Sequence, residues 1–180
     1  MNYRHQFHAG NFADVMKHGL LVALVRALQR KEKGFLFLDT HAGRGRYDLA
    51  VAATGDSLAR EPEWPAGIGR LLASPPPPGA LSDYVALVRE HDRSRGNLEG
   101  GPRFYPGSPL LVAAMARAVD RMVLCELNRP ECDALRAVMT GARRCEVRCN
   151  DGYGEIAAVL PPTERRALVL IDPPYEAQDE

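Results

Sequence analysis

The stretch Ala167-Leu168-Val169-Leu170-Ile171-Asp172-Pro173-Pro174-Tyr175 decides how the rest of this chain is read. Its first five residues are continuously apolar and rich in branched side chains, the pattern of a strand buried on both faces of a parallel sheet. Two prolines stop that strand and stiffen the loop at its carboxyl end, where open α/β sheets place their ligands. An acid, two rigid carbonyls and an aromatic ring on such a loop make a clamp of the size of a nucleic-acid base. Asp172 and the Pro173 carbonyl can each accept a hydrogen bond from an exocyclic amino group, and Tyr175 can stack on the ring. A strand ending in a plain proline turn is the simpler alternative. The strand before the prolines and the tyrosine after them favour the clamp.

Toward the amino end the same rhythm repeats. Apolar runs predict strands at 35–38, 122–126, 145–149 and 167–171. Helical spacing runs over 12–33, with Gly34 as its stop. Further helices are expected at 108–117, with Ser108 as cap and Pro109 in the first helical position, and at about 130–140 and 154–160. Strands alternating with helices predict an α/β fold with a doubly wound, mostly parallel sheet. Residues 53–105 interrupt it with Pro62, Pro65, a proline run at 75–78 and Gly100-Gly101. Short amphipathic pieces at about 66–73 and 80–92 make this a helical insertion within a single domain of 180 residues.

Composition sets looser bounds. A chain of 180 residues can bury a real core, and its net charge of zero announces no large basic field. Residues 1–47 carry eight Lys/Arg against three Asp/Glu, so a phosphate-holding patch at the amino end is one expectation and a solvated helix face the other. No signal peptide and no apolar stretch near the roughly 20 residues of a membrane span is present, so a cytoplasmic protein is expected. Cys125, Cys132, Cys145 and Cys149 lack paired Cys-x-x-Cys spacing and are expected to be reduced core thiols. His5, His8, His18 and His41 cluster early in the chain, but no ligand set at zinc spacing accompanies them, and no metal is expected.

The turn Gly43-x-Gly45 after the first strand is the expected cofactor loop, since glycine lets backbone approach a ligand closely. It fails as a dinucleotide fingerprint, because the third glycine falls at Asp48. The acid that would hold a ribose comes only after the insertion, as Glu126. Asp151, after the third strand, is placed to accept from an adenine amino group. Asp39, Glu126 and Asp151 each can be a helix cap or a solvent-facing acid. Acids at successive strand ends, followed by the Asp172 clamp, match the general plan of an S-adenosylmethionine-dependent methyltransferase.

Asp172-Pro173-Pro174-Tyr175 resembles the (Asp/Asn)-Pro-Pro-(Tyr/Phe) signature of methyltransferases acting on amino groups of nucleic-acid bases. Tyr3-Arg4-His5, Phe7-His8-Ala9-Gly10-Asn11, Ala13-Asp14-Val15, Lys17-His18, Leu38-Asp39-Thr40-His41-Ala42-Gly43 and Tyr105-Pro106-Gly107-Ser108-Pro109 extend the likeness. Together these motifs resemble the bacterial large-subunit ribosomal RNA adenine-N6 methyltransferases of the RlmJ type, nearly throughout the chain and in matching order.

The resemblance implies a class I, Rossmann-like methyltransferase fold using S-adenosylmethionine to methylate the N6 of a specific adenine in 23S ribosomal RNA. The RNA would be free of protein or in early assembly, and the enzyme a monomer at full length. It assigns Lys17, His18, His41, Ser108, Glu126, Asp151, Gly152 and Asp172 to the cofactor, Asp172 also to catalysis, and Tyr3 and Tyr175 to substrate RNA. Family members continue well past the position of Glu180, so the carboxyl-terminal strands are expected to be absent from this chain. The Asp172 strand then becomes an unpaired edge. A truncated binding remnant without catalysis is the alternative from another class. A DNA adenine or RNA guanine amino-methyltransferase is the enzymatic one, against which the amino-terminal His-Ala-Gly-Asn and Lys-His block speaks.

Overall fold

A computed structural model describes residues 8–52, 61–74, 76–98 and 100–173. Parallel strands β1 (Leu36–Asp39), β4 (Arg121–Cys125), β5 (Cys145–Arg148) and β6 (Ala167–Leu170) form one sheet in the order β5-β4-β1-β6. From β1 the chain moves outward through β4 to β5 and then returns to the other side of β1. The switch point therefore lies between β1 and β6, and their registers pair Asp39 with Leu170. The fold is the α/β, Rossmann-like one expected of a class I methyltransferase.

Burial explains the central strands. Leu36, Phe37, Leu38, Val123 and Leu124 are completely enclosed. One face of the sheet packs Phe35, Phe37, Met122 and Leu124 against α1 (Phe12–Gln29), α5 (Ser108–Met115) and α6 (Arg129–Val138), through Leu21, Val25, Val112 and Leu135. The other packs Leu36, Leu38, Val123 and Cys125 against Ile156 and Val159 of α7 (Gly152–Val159). All four residues of β6 are only half-buried, as befits the strand at the sheet's edge among the described residues.

Between β1 and β4 lie two further strands that the sequence did not announce. β2 (Arg46–Asp48) and β3 (Phe104–Pro106) pair antiparallel, Tyr47 opposite Tyr105. At three residues each they are too short for alternation to register. Between them come α2 (Leu49–Ala52), a 3-10 turn at Trp64–Ala66, α3 (Ile68–Ala73) and α4 (Ala80–Ser94). Ile68, Tyr84, Val85 and Val88 share a separate core with Val15 and Val22 of α1.

Several expectations need correction. The first helix ends at Gln29 rather than near residue 33, and Gly34 is not its stop. A Cβ on Gly34 would lie 2.1 Å from the Val119 carbonyl oxygen, so glycine there serves close loop packing. Ser108 is not a cap. Gly107 is, and Ser108 stands in the first turn of α5 with its hydroxyl turned to another partner. α7 begins at Gly152, because the Asp151 side chain caps it by accepting from the Tyr153 N–H. The four cysteines are not all reduced: Cys132 and Cys149 form a disulfide, their Cα atoms 5.7 Å apart, while Cys125 and Cys145 are free thiols. Packing α6 beside β5 brings the two together across 17 positions, which spacing does not reveal. Among the described residues the early surplus of cations does not form one patch. Lys17 and Arg44 turn to acids near the switch point, Arg26 pairs with Asp83, and residues 30–33 lie beyond the end of α1. Among the described residues no helix is long and apolar enough to cross a membrane, and no metal-ligating set of three or more side chains converges.

Candidate functional site

The carboxyl ends of β1, β4 and β6 surround the switch point. Asp39 closes β1 with no solvent exposure at all. Its carboxylate accepts from the Ser108 hydroxyl at 2.6 Å and from the His41 N–H at 3.2 Å. Burial pushes its pKa up to about 6, although the hydrogen bonds from Ser108 and His41 and the charge of Lys17 act the other way. Thr40 ties the end of β1 to that of β6, its N–H and hydroxyl both donating to the Leu170 carbonyl at 3.0 Å.

The loop after β1 is held on its far side by Glu126. Glu126 accepts from the Gly43 N–H at 2.9 Å with Oε2 and from the Asn128 N–H at 2.8 Å with Oε1. Each oxygen keeps a second lone pair, so the carboxylate can still take hydroxyl groups. Gly43 has φ +61°, and a Cβ there would lie 2.5 Å from the Tyr47 hydroxyl. Arg44 makes a bidentate pair with Glu131 of α6 at 2.8 and 2.7 Å, which anchors the loop to the next helix.

Asp151 and Gly152 come from the other face. A Cβ on Gly152 would lie 2.1 Å from the Thr40 carbonyl oxygen, so only glycine lets α7 start against the end of β1. Asp151 is exposed. His41 is hydrogen-bonded through Nδ1 to Thr40 Oγ at 2.8 Å, and its ring meets Tyr153 edge-on at 5.1 Å.

The fourth wall is α1. Lys17 Nζ donates to Asp172 Oδ2 at 2.6 Å and lies 2.7 Å from Asp14. Burial by itself lowers the lysine pKa, but the charges of Asp14 and Asp172 outweigh it and hold Lys17 protonated above its ordinary range. Asp14 is buried and also accepts from the Gly10 N–H at 2.9 Å. His18, the residue after Lys17, is buried and hydrogen-bonded to the Tyr105 hydroxyl at 2.7 Å, which meets the Tyr84 hydroxyl at 2.8 Å.

The assigned residues thus fall into connected groups: Lys17 with Asp172, Ser108 with Asp39, Glu126 with the glycine turn, and Gly152 beside Thr40 and His41. His18 stands apart within the packing against the insertion. Tyr3 and Tyr175 lie outside the described residues. Sequence reasoning left Asp14 and Tyr105 without a role. The signal for Asp14 was present: Asn11 caps α1 by accepting from the Asp14 N–H, the first half of a capping pattern.

The crevice offers acids to hydroxyl and amino groups, a protonated lysine to a carboxylate, and backbone brought close by Gly43 and Gly152. Those donors and acceptors suit an adenosyl amino acid with a cationic centre.

A family described as "Ribosomal RNA large subunit methyltransferase D, RlmJ" matches residues 32–180. "Ribosomal RNA large subunit methyltransferase J" of Haemophilus influenzae is 41% identical over all 180 residues, and its Escherichia coli counterpart 40%. In each case the match covers 61% of the relative, so the chain spans about three fifths of those proteins. A crystal structure of the Legionella pneumophila protein LPL1258, described by the family model DUF519, superposes with a TM-score of 0.79 at 35% identity, covering 94% of this chain and 59% of that one.

Proposed function

Because this chain belongs to the RlmJ family of large-subunit ribosomal RNA methyltransferases, we propose that it methylates the N6 amino group of a specific adenine in 23S ribosomal RNA. The observation that carries this reading is the placement of Asp172 and Pro173 at the end of β6, across the switch point from the cofactor-suited acids. When bound, S-adenosylmethionine supplies a sulfonium-activated methyl group open to in-line displacement by the amino nitrogen.

The chain's own residues do the rest. Glu126 takes the ribose hydroxyls, Asp151 the adenine amino group of the cofactor, and Lys17 its carboxylate. His41, Ser108 and Gly152 complete that shell, and His18, buried and bonded to Tyr105, backs it from α1. Lys17 occupies Oδ2 of Asp172, leaving Oδ1 to accept from the substrate amino group, as does the Pro173 carbonyl. Those two bonds favour a pyramidal nitrogen and free a lone pair otherwise delocalised into the ring. The Asp172 side chain is 38% exposed, so a base can reach it. Unstacking that base costs roughly a few kcal/mol, less in irregular RNA. Stacking on Tyr175 and contact with Tyr3 offset part of that cost. Ribosomal RNA as substrate places the protein in the cytoplasm.

The test is methyl transfer to 23S RNA lacking the modification, with the whole protein. Asp172→Ala is expected to abolish transfer while leaving cofactor binding largely intact. Near-normal turnover by that variant means the clamp is misread. Glu126→Ala is expected to weaken cofactor binding by roughly 1–3 kcal/mol, because a charged acceptor is lost. Calorimetry showing unchanged affinity in the folded variant removes Glu126 from the cofactor site. Preferential transfer to DNA adenine or to an RNA guanine would move the substrate assignment while keeping the chemistry.

A further inference from the structure

The opposite pole of the sheet carries a different charge. Residues 30–33, 117–121, 143–144 and 163–166 all gather at the amino ends of the strands, and they hold nine Lys/Arg against three Asp/Glu. Hydrogen bonds and ion pairs make them one surface. Arg117 donates to the carbonyls of Gln29, Lys31 and Lys33. Arg166 donates to those of Leu28 and Lys33. Arg144 donates to the Val119 carbonyl and pairs with Glu164, which Arg121 also holds. This surplus of six cations belongs to a chain whose net charge is zero.

Structural duties account for part of the set. Arg117 and Arg166 satisfy carbonyls of the last turn of α1 and of the loop after it, where cations also oppose the helix dipole. Arg117 is held by Asp120, and Arg121 and Arg144 by Glu164, and both acids are buried. Arg30, Lys31, Lys33, Arg143 and Arg165 have no such duty. They are exposed, and among the described residues no acid pairs with them. The remaining acid is Glu32. Arg165 also sits at φ +56°, a left-handed conformation in which glycine or asparagine is more comfortable. Turn geometry therefore does not explain an arginine there.

We propose that this amino pole is a second contact surface for the phosphate backbone of the RNA substrate, about 13 Å of strand away from the reacting base. The inference rests on the reading of the protein as an RNA methyltransferase. Four strands at about 4.8 Å spacing spread the cations over about 15 Å, so several phosphates are met at once. Guanidinium and ammonium groups contact phosphates without reading sequence, so the pole supplies affinity and register while the clamp selects the base.

The experiment uses the whole protein with Lys31→Glu, Lys33→Glu, Arg143→Glu and Arg165→Glu combined, and a milder variant with glutamine at the same four positions. A long 23S fragment is expected to bind the glutamate variant at least about tenfold more weakly, and the slope of log affinity against log salt to fall by about three. The glutamine variant should lie between. KM for that fragment rises while kcat, cofactor affinity and transfer to a short target hairpin stay as they were. Unchanged affinity and salt slope in a folded glutamate variant overturn the proposal, including the case where the pole instead binds a protein. A wild-type protein that neither binds nor methylates RNA refutes the underlying function, a result distinct from either.

Discussion

Asp39 is the residue at which the site and the stability of the fold conflict. It is fully enclosed, and its carboxyl pKa rises from 3.8 to about 6 because burial disfavours the charge. The folded state therefore holds this proton more tightly than the unfolded one. The stability it confers is complete below about pH 4 and is lost as pH rises through 6. Asp39→Asn removes the buried charge and keeps one acceptor oxygen for the His41 N–H, while its amide donates to the Ser108 hydroxyl, which can turn to accept. Urea unfolding is expected to show the variant gaining on the parent between pH 4.5 and 7, by on the order of 2–3 kcal/mol. Glu164 and Asp120, whose pKa values are lowered, titrate below that window and cancel between the two proteins. An equal gap at both pH values would show that the carboxylate is not costly there.

At the scale of elements, the short pair β2 and β3 needs an outside anchor, since two strands of three residues are marginal alone. Tyr105 provides it. Its hydroxyl joins His18 of α1 to Tyr84 of α4, so strand, amino-terminal helix and insertion meet at one oxygen. Tyr105→Phe removes that oxygen from a buried place and is expected to cost about 1–3 kcal/mol in thermal or urea unfolding. A melt unchanged from the parent would mean the junction is held by packing alone. The disulfide between Cys132 and Cys149 similarly ties α6 to the loop that carries Asp151, linking the supports of Glu126 and Gly152.

At the scale of the whole molecule, apolar surface stays open at more than one place. β6 is half-buried at the sheet edge, and Phe12, Met16, Leu20 and Leu24 make an exposed stripe along α1 at intervals of four residues. Ile171, next to Asp172 in the chain, is 48% exposed. Among the described residues β6 is an edge strand, and such an edge together with an apolar face promotes association. The 180-residue polypeptide is expected to self-associate on its own, with larger particles in light scattering as concentration rises. A monodisperse monomer that melts as high as a longer relative would show that this surface needs no cover.

Local sequence determined the parallel sheet, because unbroken apolar runs at 35–38 and 167–171 report strands, but it overstated the burial of the second, which is only half-buried at the sheet's edge. It also placed Glu126, Asp151 and Asp172 at or just after strand ends, but did not tell which strand-end acid stays enclosed: Asp39 ends the run 35–38 and is fully buried. It misjudged Ser108, where a cap and a ligand group use the same residue type: Gly107 caps α5 and frees Ser108 for Asp39. Asp151 does cap α7, one of the plain alternatives its position allowed. Only the tertiary structure brought Lys17 to Asp172 across 155 positions, paired Cys132 with Cys149, and gathered cations from four separate loops at one pole. Periodicity tells which face of an element is buried. Which elements lie side by side follows from strand order and packing, and those pairings carry no local pattern.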